Sequence, residues 1–364
     1  LILMSVFDGG LSSREIERKT RTDIAYMYLA GMQHPSYRTI ARFKVDYPDL
    51  IDESFKTTIK IAKEEDLVKI HHVSLDGTKI KAKTSMNKLT NEQQLKIMKQ
   101  HLKESIELDE EEDMELGEES GKDIISINDP DARFMKNKKW KWEFDYNGQI
   151  AVDDYKGIIL ASYITDNSTD YYELIQLREK VQSNLSEIYD ETPVNYQVSA
   201  DNGYSTDMNT EYLEQNGFDG YISSRKLSRE QKKYNLSDKP FAKDNFFYDN
   251  EMMTYICPLG QPLYKISEYT YKNKSRISHW TKECKTYPMQ LFCSKGNRCR
   301  VIQDYGIPSK IRMQWKMETP EAKERYKIRS KTVERPFAHL KQNMHLTESR
   351  TTGLKEVNKE LKLY

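Results

Sequence analysis

The chain has 364 residues, enough for two domains or for one large domain that carries an insertion. Its 57 basic and 57 acidic residues cancel, so net charge by itself excludes no class of partner. The charges are unevenly placed, because residues 103–120 are rich in acids, whereas basic residues outnumber acids roughly twofold between Arg225 and Arg350. The basic region favours a polyanion-binding surface, and an ordinary solvated face is the alternative.

No apolar run approaches the roughly 20 residues that a membrane-spanning helix needs, so we expect a cytoplasmic protein. Residues 1–4 and 357–364 follow helical patterns without end signals, and we expect the sequence to be incomplete at both ends. The four cysteines, at 257, 284, 293 and 299, lie in one stretch without a Cys-x-x-Cys pair. This spacing favours free thiols and leaves a zinc site as the alternative.

The first 66 residues predict a helical domain. Ser12 precedes a helical pattern and Glu15 follows three residues later, a spacing typical of a capped helix start. This helix is expected to reach about Leu29, a second to begin after Ser36, and more helix to cover 54–65. Two helices joined by a glycine turn are compatible with a DNA-binding helix-turn-helix, and ordinary packing of two helices is the alternative.

The pattern then changes to the period of strands. Residues 67–82 alternate between apolar and polar side chains and carry Asp76 directly before Gly77. Charged residues at 87–125 predict a helical or disordered insertion. Later strands are predicted at 140–144, 149–153, 157–165, 194–200 and 220–223, with helices at 170–185 and 205–216. Asp201 follows the 194–200 strand, at the strand end where open α/β sheets place their chemistry.

A polar, basic segment at 228–311 carries the cysteines and shows little periodicity, so we interpret it as a second insertion. A helical segment follows, in which Tyr326, Arg329, Glu334 and Lys341 fall within one broad band. Such a band can direct one carboxylate at a metal ion while the cations beside it hold phosphates. A surface helix with one ion pair is the alternative.

These elements predict an α/β fold, a mixed five-stranded sheet flanked by helices in the RNase H-like arrangement. In such a sheet the first strand lies beside the end of the fourth, so Asp76 and Asp201 are expected to meet. A helix packed across that edge would bring Glu334 to the same point. Three carboxylates at one point repel one another and need divalent cations, and oxygen ligands of this kind favour Mg²⁺ or Mn²⁺. Two such ions, about 3.5 to 4 Å apart, can support displacement at a phosphodiester.

Three blocks of sequence resemble the conserved motifs of bacterial insertion-sequence DDE transposases. They are Val73–Ala82, Ala200–Tyr204 and the run from Tyr326 through Arg329 and Val333-Glu334 to Lys341. The resemblance extends to residues 11–17, 39–43, 129–133 and 146–149, and so covers most of the chain. Two departures are visible: four residues separate Arg329 from Glu334 where the commonest form has three, and the cysteines are spread more widely than in relatives.

The resemblance implies that Asp76, Asp201 and Glu334 are the catalytic, metal-binding triad, with two Mg²⁺ or Mn²⁺ ions. Tyr326, Arg329 and Lys341 would contact transposon-end DNA near the cleaved phosphate. The implied partners are double-stranded DNA, as terminal inverted repeats and as target, and a second copy of the chain in the active complex. A non-transposing nuclease and an inactive, truncated DNA-binding remnant are the alternatives.

The predicted domain organisation has four parts. Residues 1–66 form the helical N-terminal domain, and residues 67–227 form the first part of the catalytic core with the charged insertion at 87–125. Residues 228–311 form the basic, cysteine-bearing insertion. Residues 312–364 supply the C-terminal catalytic helices.

Overall fold

The computed structural model describes residues 1–84, 126, 128–136, 141–189, 195–223, 240–271, 274–286, 290–294 and 299–364. The charged insertion predicted at 87–125 lies outside these ranges. Within them, the chain forms a mixed α/β structure with two β-sheets and helices packed against them. None of the helices in the described ranges combines the length and the apolar character that crossing a bilayer requires.

Five helices open the chain: α1 (Ile2–Phe7), α2 (Ser13–Thr22), α3 (Ile24–Leu29), α4 (Tyr37–Asp46) and α5 (Pro48–Glu64). The predicted helix start at Ser12 is confirmed, because Ser12 and Glu15 form a capping box. The predicted cap at Ser36 is confirmed as well. The expectation of one helix up to Leu29 is wrong, since the Asp23 side chain accepts a hydrogen bond from Ala25 N and starts a new helix there.

The main sheet contains β1 (His72–Lys81), β2 (Arg133–Lys136), β3 (Trp142–Asp153), β4 (Ile159–Thr165), β5 (Gln197–Ala200) and β6 (Gly220–Ile222). Its strand order is β2-β3-β1-β5-β6, and β4 also pairs with β3. The pairs among β1 to β4 are antiparallel, whereas β1–β5 and β5–β6 are parallel. In the described ranges the sheet therefore has six strands, one more than predicted.

Strand β3 corrects the expectation of two separate strands at 140–144 and 149–153. It runs without a break through Asn147 and Gly148, although Asn-Gly is a common turn sequence. Both residues are paired on two sides, Asn147 with Lys79 of β1 and Thr165 of β4. Pairing on both edges of β3 overrides the local turn preference.

Helices cover both faces of this sheet. On one face, α5 and α6 (Glu173–Ser186) pack in a core that includes Ile59, Leu75 and Leu177. On the other face, α10 (Pro320–Ala338) and α11 (Leu354–Leu363) pack in a core that includes Ile150 and Val333. Two shorter helices are α7 (Asp207–Gln215) and α9 (Pro308–Lys316), and α8 is a single turn, Gln290–Cys293. The alternation of side chains along β1 and β3 separates the two cores.

The segment predicted as an aperiodic insertion contains a second sheet. Its strands are β7 (Phe247–Asp249), β8 (Thr254–Ile256), β9 (Pro262–Tyr271), β10 (Lys274–Trp280) and β11 (Ile302–Gly306), which pair antiparallel in the order β11-β10-β9-β8-β7. Tyr248 stacks on Trp315 of α9 with ring centroids 4.4 Å apart. Trp315 Nε1 and the Tyr255 hydroxyl both donate to the buried Asp304 carboxylate. These contacts join the second sheet to α9.

Candidate active site

Asp76 and Asp201 lie side by side on neighbouring parallel strands. The β1–β5 register pairs His72 with Gln197 and Ser74 with Ser199. Continued by two residues, this register places Asp201, the first residue after β5, next to Asp76 within β1. The structure therefore brings these two acids together across 125 residues of sequence, as the strand order in the sheet requires.

Local hydrogen bonds orient both carboxylates. Asp201 Oδ1 accepts a hydrogen bond from Gly203 N at 2.8 Å and thereby caps the 3₁₀ turn Asn202–Tyr204. Asp76 Oδ1 accepts one from Gly77 N at 2.9 Å. The Asp76 side chain is 14% exposed and the Asp201 side chain is 41% exposed, so Asp201 faces the more open side of the site.

Arg329 of α10 lies against both acids. Its Nη2 atom is 2.9 Å from Asp76 Oδ1 and 4.0 Å from Asp201 Oδ2, while Nε donates to Leu75 O at 3.2 Å. Only 8% of Arg329 is exposed. Burial lowers the pKa of Arg329, but the nearby Asp76 and other neighbours outweigh it and raise the pKa above its ordinary value. The guanidinium therefore stays charged and offsets part of the negative charge of the two acids.

Tyr326 and Lys341 attach the same helical segment to the sheet. Tyr326 is 5% exposed and packs against Tyr221 of β6, and burial raises its pKa. The Arg329 guanidinium carbon lies 5.9 Å from the centre of its ring. Lys341 follows α10 in a π-helical turn, His339–Asn343, and its Nζ donates to Thr78 Oγ1 at 2.6 Å and to Lys79 O at 3.2 Å.

Glu334 lies on α10, five residues after Arg329, and is exposed to solvent. Its carboxylate accepts a hydrogen bond from Ser330 Oγ at 2.7 Å. The preceding residue, Val333, is buried in the core between α10 and the sheet. Among the residues that the structure describes, no three His, Cys, Asp or Glu side chains are grouped as a metal-ligand set. The structure thus joins Asp76 and Asp201 through Arg329, and it does not place Glu334 in one ligand set with them.

Residues 256–364 match a protein-family model described as a transposase DDE domain. The predicted relationship to DDE transposases is confirmed. The matched segment contains Tyr326, Arg329, Glu334 and Lys341, while Asp76 and Asp201 precede it. No curated protein matches the chain. A cryo-EM structure of the piggyBac transposase synaptic complex with hairpin DNA is similar over 100% of this chain and 68% of that chain, at 10% identity and a TM-score of 0.33, a level that does not establish a shared fold.

Sequence reasoning missed several residues beside Asp76 and Asp201. Asp170 Oδ1 accepts hydrogen bonds from Asn147 Nδ2 at 2.8 Å and Gln149 Nε2 at 2.6 Å. The Tyr204 hydroxyl donates to Gln149 Oε1 and is fully buried. The sequence does show one sign of this network. Asn147 and Gln149 are two residues apart and so lie on one face of a strand, and buried amides require hydrogen-bond partners.

The cysteines of the second sheet region lie near one another. Cys257, Cys284 and Cys293 line one small apolar cavity, and Cys299 is buried close by. Burial raises the pKa of the Cys284 thiol to about 11, and the three other cysteines contribute in the same direction. All four are free thiols. That they do not share one metal centre stays a prediction.

Proposed function

We propose that the protein is a DDE transposase that cuts DNA at the ends of an insertion sequence and joins the freed 3′ hydroxyl to target DNA. The observation that carries this proposal is the β1–β5 pairing, which sets Asp76 beside Asp201. A helix of the matched transposase DDE domain crosses the same point and places Arg329 against both acids.

The strand order supports an RNase H-like core for this activity. Three antiparallel strands, β1, β3 and β4, precede two parallel strands, β5 and β6, and β1 lies at the centre of the order. Helices on both faces of the sheet also support this assignment. In this core, Asp76 lies in the central strand β1 and Asp201 directly follows the neighbouring strand β5. Helices cover both faces of the sheet at these strands.

The donor chemistry of the site fits a divalent cation. Asp76 and Asp201 offer carboxylate oxygens, the ligands that Mg²⁺ and Mn²⁺ prefer, and Arg329 is the cation beside them in this structure. We propose that Asp76, Asp201 and Glu334 hold two such ions. Ions held there would supply activation of an attacking oxygen and stabilisation of the leaving oxygen at a phosphodiester.

The chain's own residues have three further proposed tasks. Arg329 keeps Asp76 and Asp201 at one place, and the orientation of each acid is fixed by its hydrogen bond to a glycine N–H. Lys341 contacts the DNA backbone near the cut phosphate. The predicted DNA contacts of Tyr326 and Arg329 do not fit their burial, at 5% and 8% exposure, so these two residues instead hold α10 against the sheet. Water and then the 3′ hydroxyl of the cut strand supply the nucleophile, so no covalent bond between protein and DNA is needed. The proposed partners are inverted-repeat ends, target DNA and a second copy of the chain.

The test uses labelled DNA fragments from both flanks of the reading frame, an unlabelled plasmid as target, and Mg²⁺. The proposed transposase yields cleaved ends and labelled products joined to the plasmid, and Asp76→Asn or Asp201→Asn abolishes both while DNA binding persists. Cleavage without joining indicates a non-transposing nuclease. Binding without cleavage by the unaltered chain indicates an inactive remnant. Cleavage by either variant at the unaltered rate overturns the assignment of the acids.

A further inference from the structure

Asp170 lies between the two backbone segments that follow the proposed catalytic acids. A Cβ atom built on Gly77 would lie 2.5 Å from Asp170 Oδ1, closer than real Cβ atoms approach other atoms. A Cβ atom built on Gly203 would lie 3.3 Å from Asp170 Oδ2. Glycine at position 77 therefore leaves the space that the Asp170 carboxylate occupies, one residue from Asp76 and next to the turn that Asp201 caps.

A chain of hydrogen bonds links Asp170 to strand β3 and, through Gln149, to the turn after β5. Gln149, which donates to Asp170, is the β3 residue paired with Gly77 of β1. The other end of the same amide accepts a hydrogen bond from Tyr204, the last residue of the turn after Asp201. Gln149 and Tyr204 are fully buried, and Asn147 is 1% exposed. Buried amides that lose an acceptor cost free energy, so this network holds a defined geometry.

We propose that Asp170 is a positioning residue that sets the spacing between the Asp76 and Asp201 carboxylates. It acts through Gln149 and Tyr204 and through direct packing on Gly77 and Gly203. The inference rests on the proposed function, because the spacing of the two acids matters only where both hold one cation. Residues that hold metal ligands in place typically change metal affinity about 10- to 100-fold when they are altered.

The experiment measures Mn²⁺ binding to the full chain without DNA by titration calorimetry. Asp170→Ala removes the acceptor for two amides and should weaken Mn²⁺ binding at least about tenfold. Asp170→Asn keeps an oxygen acceptor of the same shape and should stay within about threefold of the unaltered protein. Equal large losses in both variants would mean that the charge of Asp170 acts on the cation directly, which overturns the positioning role.

Two further variants keep the inference falsifiable if Asp170→Ala folds poorly. Gly77→Ala places a methyl group where Asp170 and Gln149 now lie, and it should weaken Mn²⁺ binding as Asp170→Ala does. Asp166→Ala removes an acid that pairs with Arg133 at 2.8 Å, and it should leave the affinity unchanged. Thermal unfolding in EDTA checks that each variant is folded.

Asp76→Asn separates this inference from the proposed function. If Asp76→Asn loses Mn²⁺ binding while Asp170→Ala and Gly77→Ala retain it fully, the proposed function stands and the positioning role is overturned. If the unaltered protein binds no Mn²⁺, or Asp76→Asn binds it equally well, the cation site fails and the inference fails with it.

Discussion

Arg329 Nη2 lies 2.9 Å from Asp76 Oδ1, and this contact joins helix α10 to the central strand of the main sheet. Both side chains are largely buried, with 9% of the Arg329 side chain and 14% of the Asp76 side chain exposed. The second carboxylate, of Asp201, is 4.0 Å from the same nitrogen. One guanidinium thus offsets the repulsion between two acids that strand pairing forces together.

Removal of this cation should destabilise the fold. Arg329→Ala removes the guanidinium from beside the largely buried Asp76 carboxylate, and the free energy of unfolding in EDTA should fall by about 3 kcal/mol. Urea denaturation followed by circular dichroism measures the loss. Lys327→Ala is the control on the same helix, since Lys327 pairs with Glu324 at the surface and such pairs contribute at most about 1 kcal/mol. Equal losses in the two variants would contradict a structural role for the Arg329–Asp76 pair.

Lys341 should contribute to DNA binding through phosphate. Lys341→Ala is expected to weaken binding about equally across DNA sequences and to reduce the slope of log K against log salt by about one unit. Fluorescence anisotropy over a range of salt concentrations gives this slope. Lys265→Ala, which removes a lysine that pairs with Glu268 in the second sheet, should leave it unchanged. An unchanged slope in folded Lys341→Ala protein would rule out a contact between Lys341 and a DNA phosphate.

Glu334 should matter for turnover and not for binding. If Glu334 holds a cation, Glu334→Gln should slow DNA cleavage about 100-fold or more, since a metal ion contributes several kcal/mol of transition-state stabilisation. DNA affinity should change little. Single-turnover cleavage and anisotropy measure the two effects, and Glu324→Gln on the same helix is the control. A matching loss of affinity and rate would instead indicate that Glu334 supports the DNA-binding surface.

Asp145 should make stability depend on pH. Burial raises the pKa of Asp145 to about 6, with a further contribution from Glu143. The unfolded chain releases this proton first, so Asp145 should lower the free energy of unfolding as pH rises from about 4 to about 6. Asp145→Asn should therefore be more stable than the unaltered protein at pH 7, by roughly 1 to 3 kcal/mol, and the difference should shrink at pH 4. A difference that is independent of pH would refute this assignment.

Cys284 should react slowly with alkylating reagents at neutral pH. Its pKa is raised to about 11, and the reactive form is the thiolate. Mass spectrometry of the peptide that contains Cys284, after short exposures to iodoacetamide, should show a rate that rises with pH up to about 11. An apparent pKa below 9 would indicate a cation beside the thiols. Zinc analysis of protein purified without added metal then tests the prediction that the four cysteines share no centre.

The meeting of Asp76 and Asp201 follows from features that are visible in the sequence. Each acid lies in or directly after a strand-like run, and the order of the strands makes those runs neighbours. Regular alternation, which a single sequence displays directly, indicates the strands, and the RNase H-like arrangement predicts their order. The continuous β3 was missed because Asn147 and Gly148 favour a turn locally, and only pairing with β1 and β4 overrides that preference.

The partners of Arg329 and Asp170 could not be predicted in the same way. Arg329 donates to Leu75 O across 254 positions of sequence. Helical spacing alone does not show which face of α10 packs against the sheet. The basic character of Arg329 favours a phosphate contact as much as a buried ion pair. Asp170 looks like the first residue of a helix, and its role depends on two glycines that leave room for it. Contacts of this kind are set by tertiary packing.

The separation of Asp76 and Arg329 in the sequence also determines when their contact can form during synthesis. Strand β1 is translated early, β5 must emerge before Asp201 can lie beside Asp76, and α10 follows more than a hundred residues later. A chain still attached to the ribosome before α10 emerges holds two acids without their guanidinium and without Glu334. The proposed site can therefore come together only after the chain has been translated through Glu334.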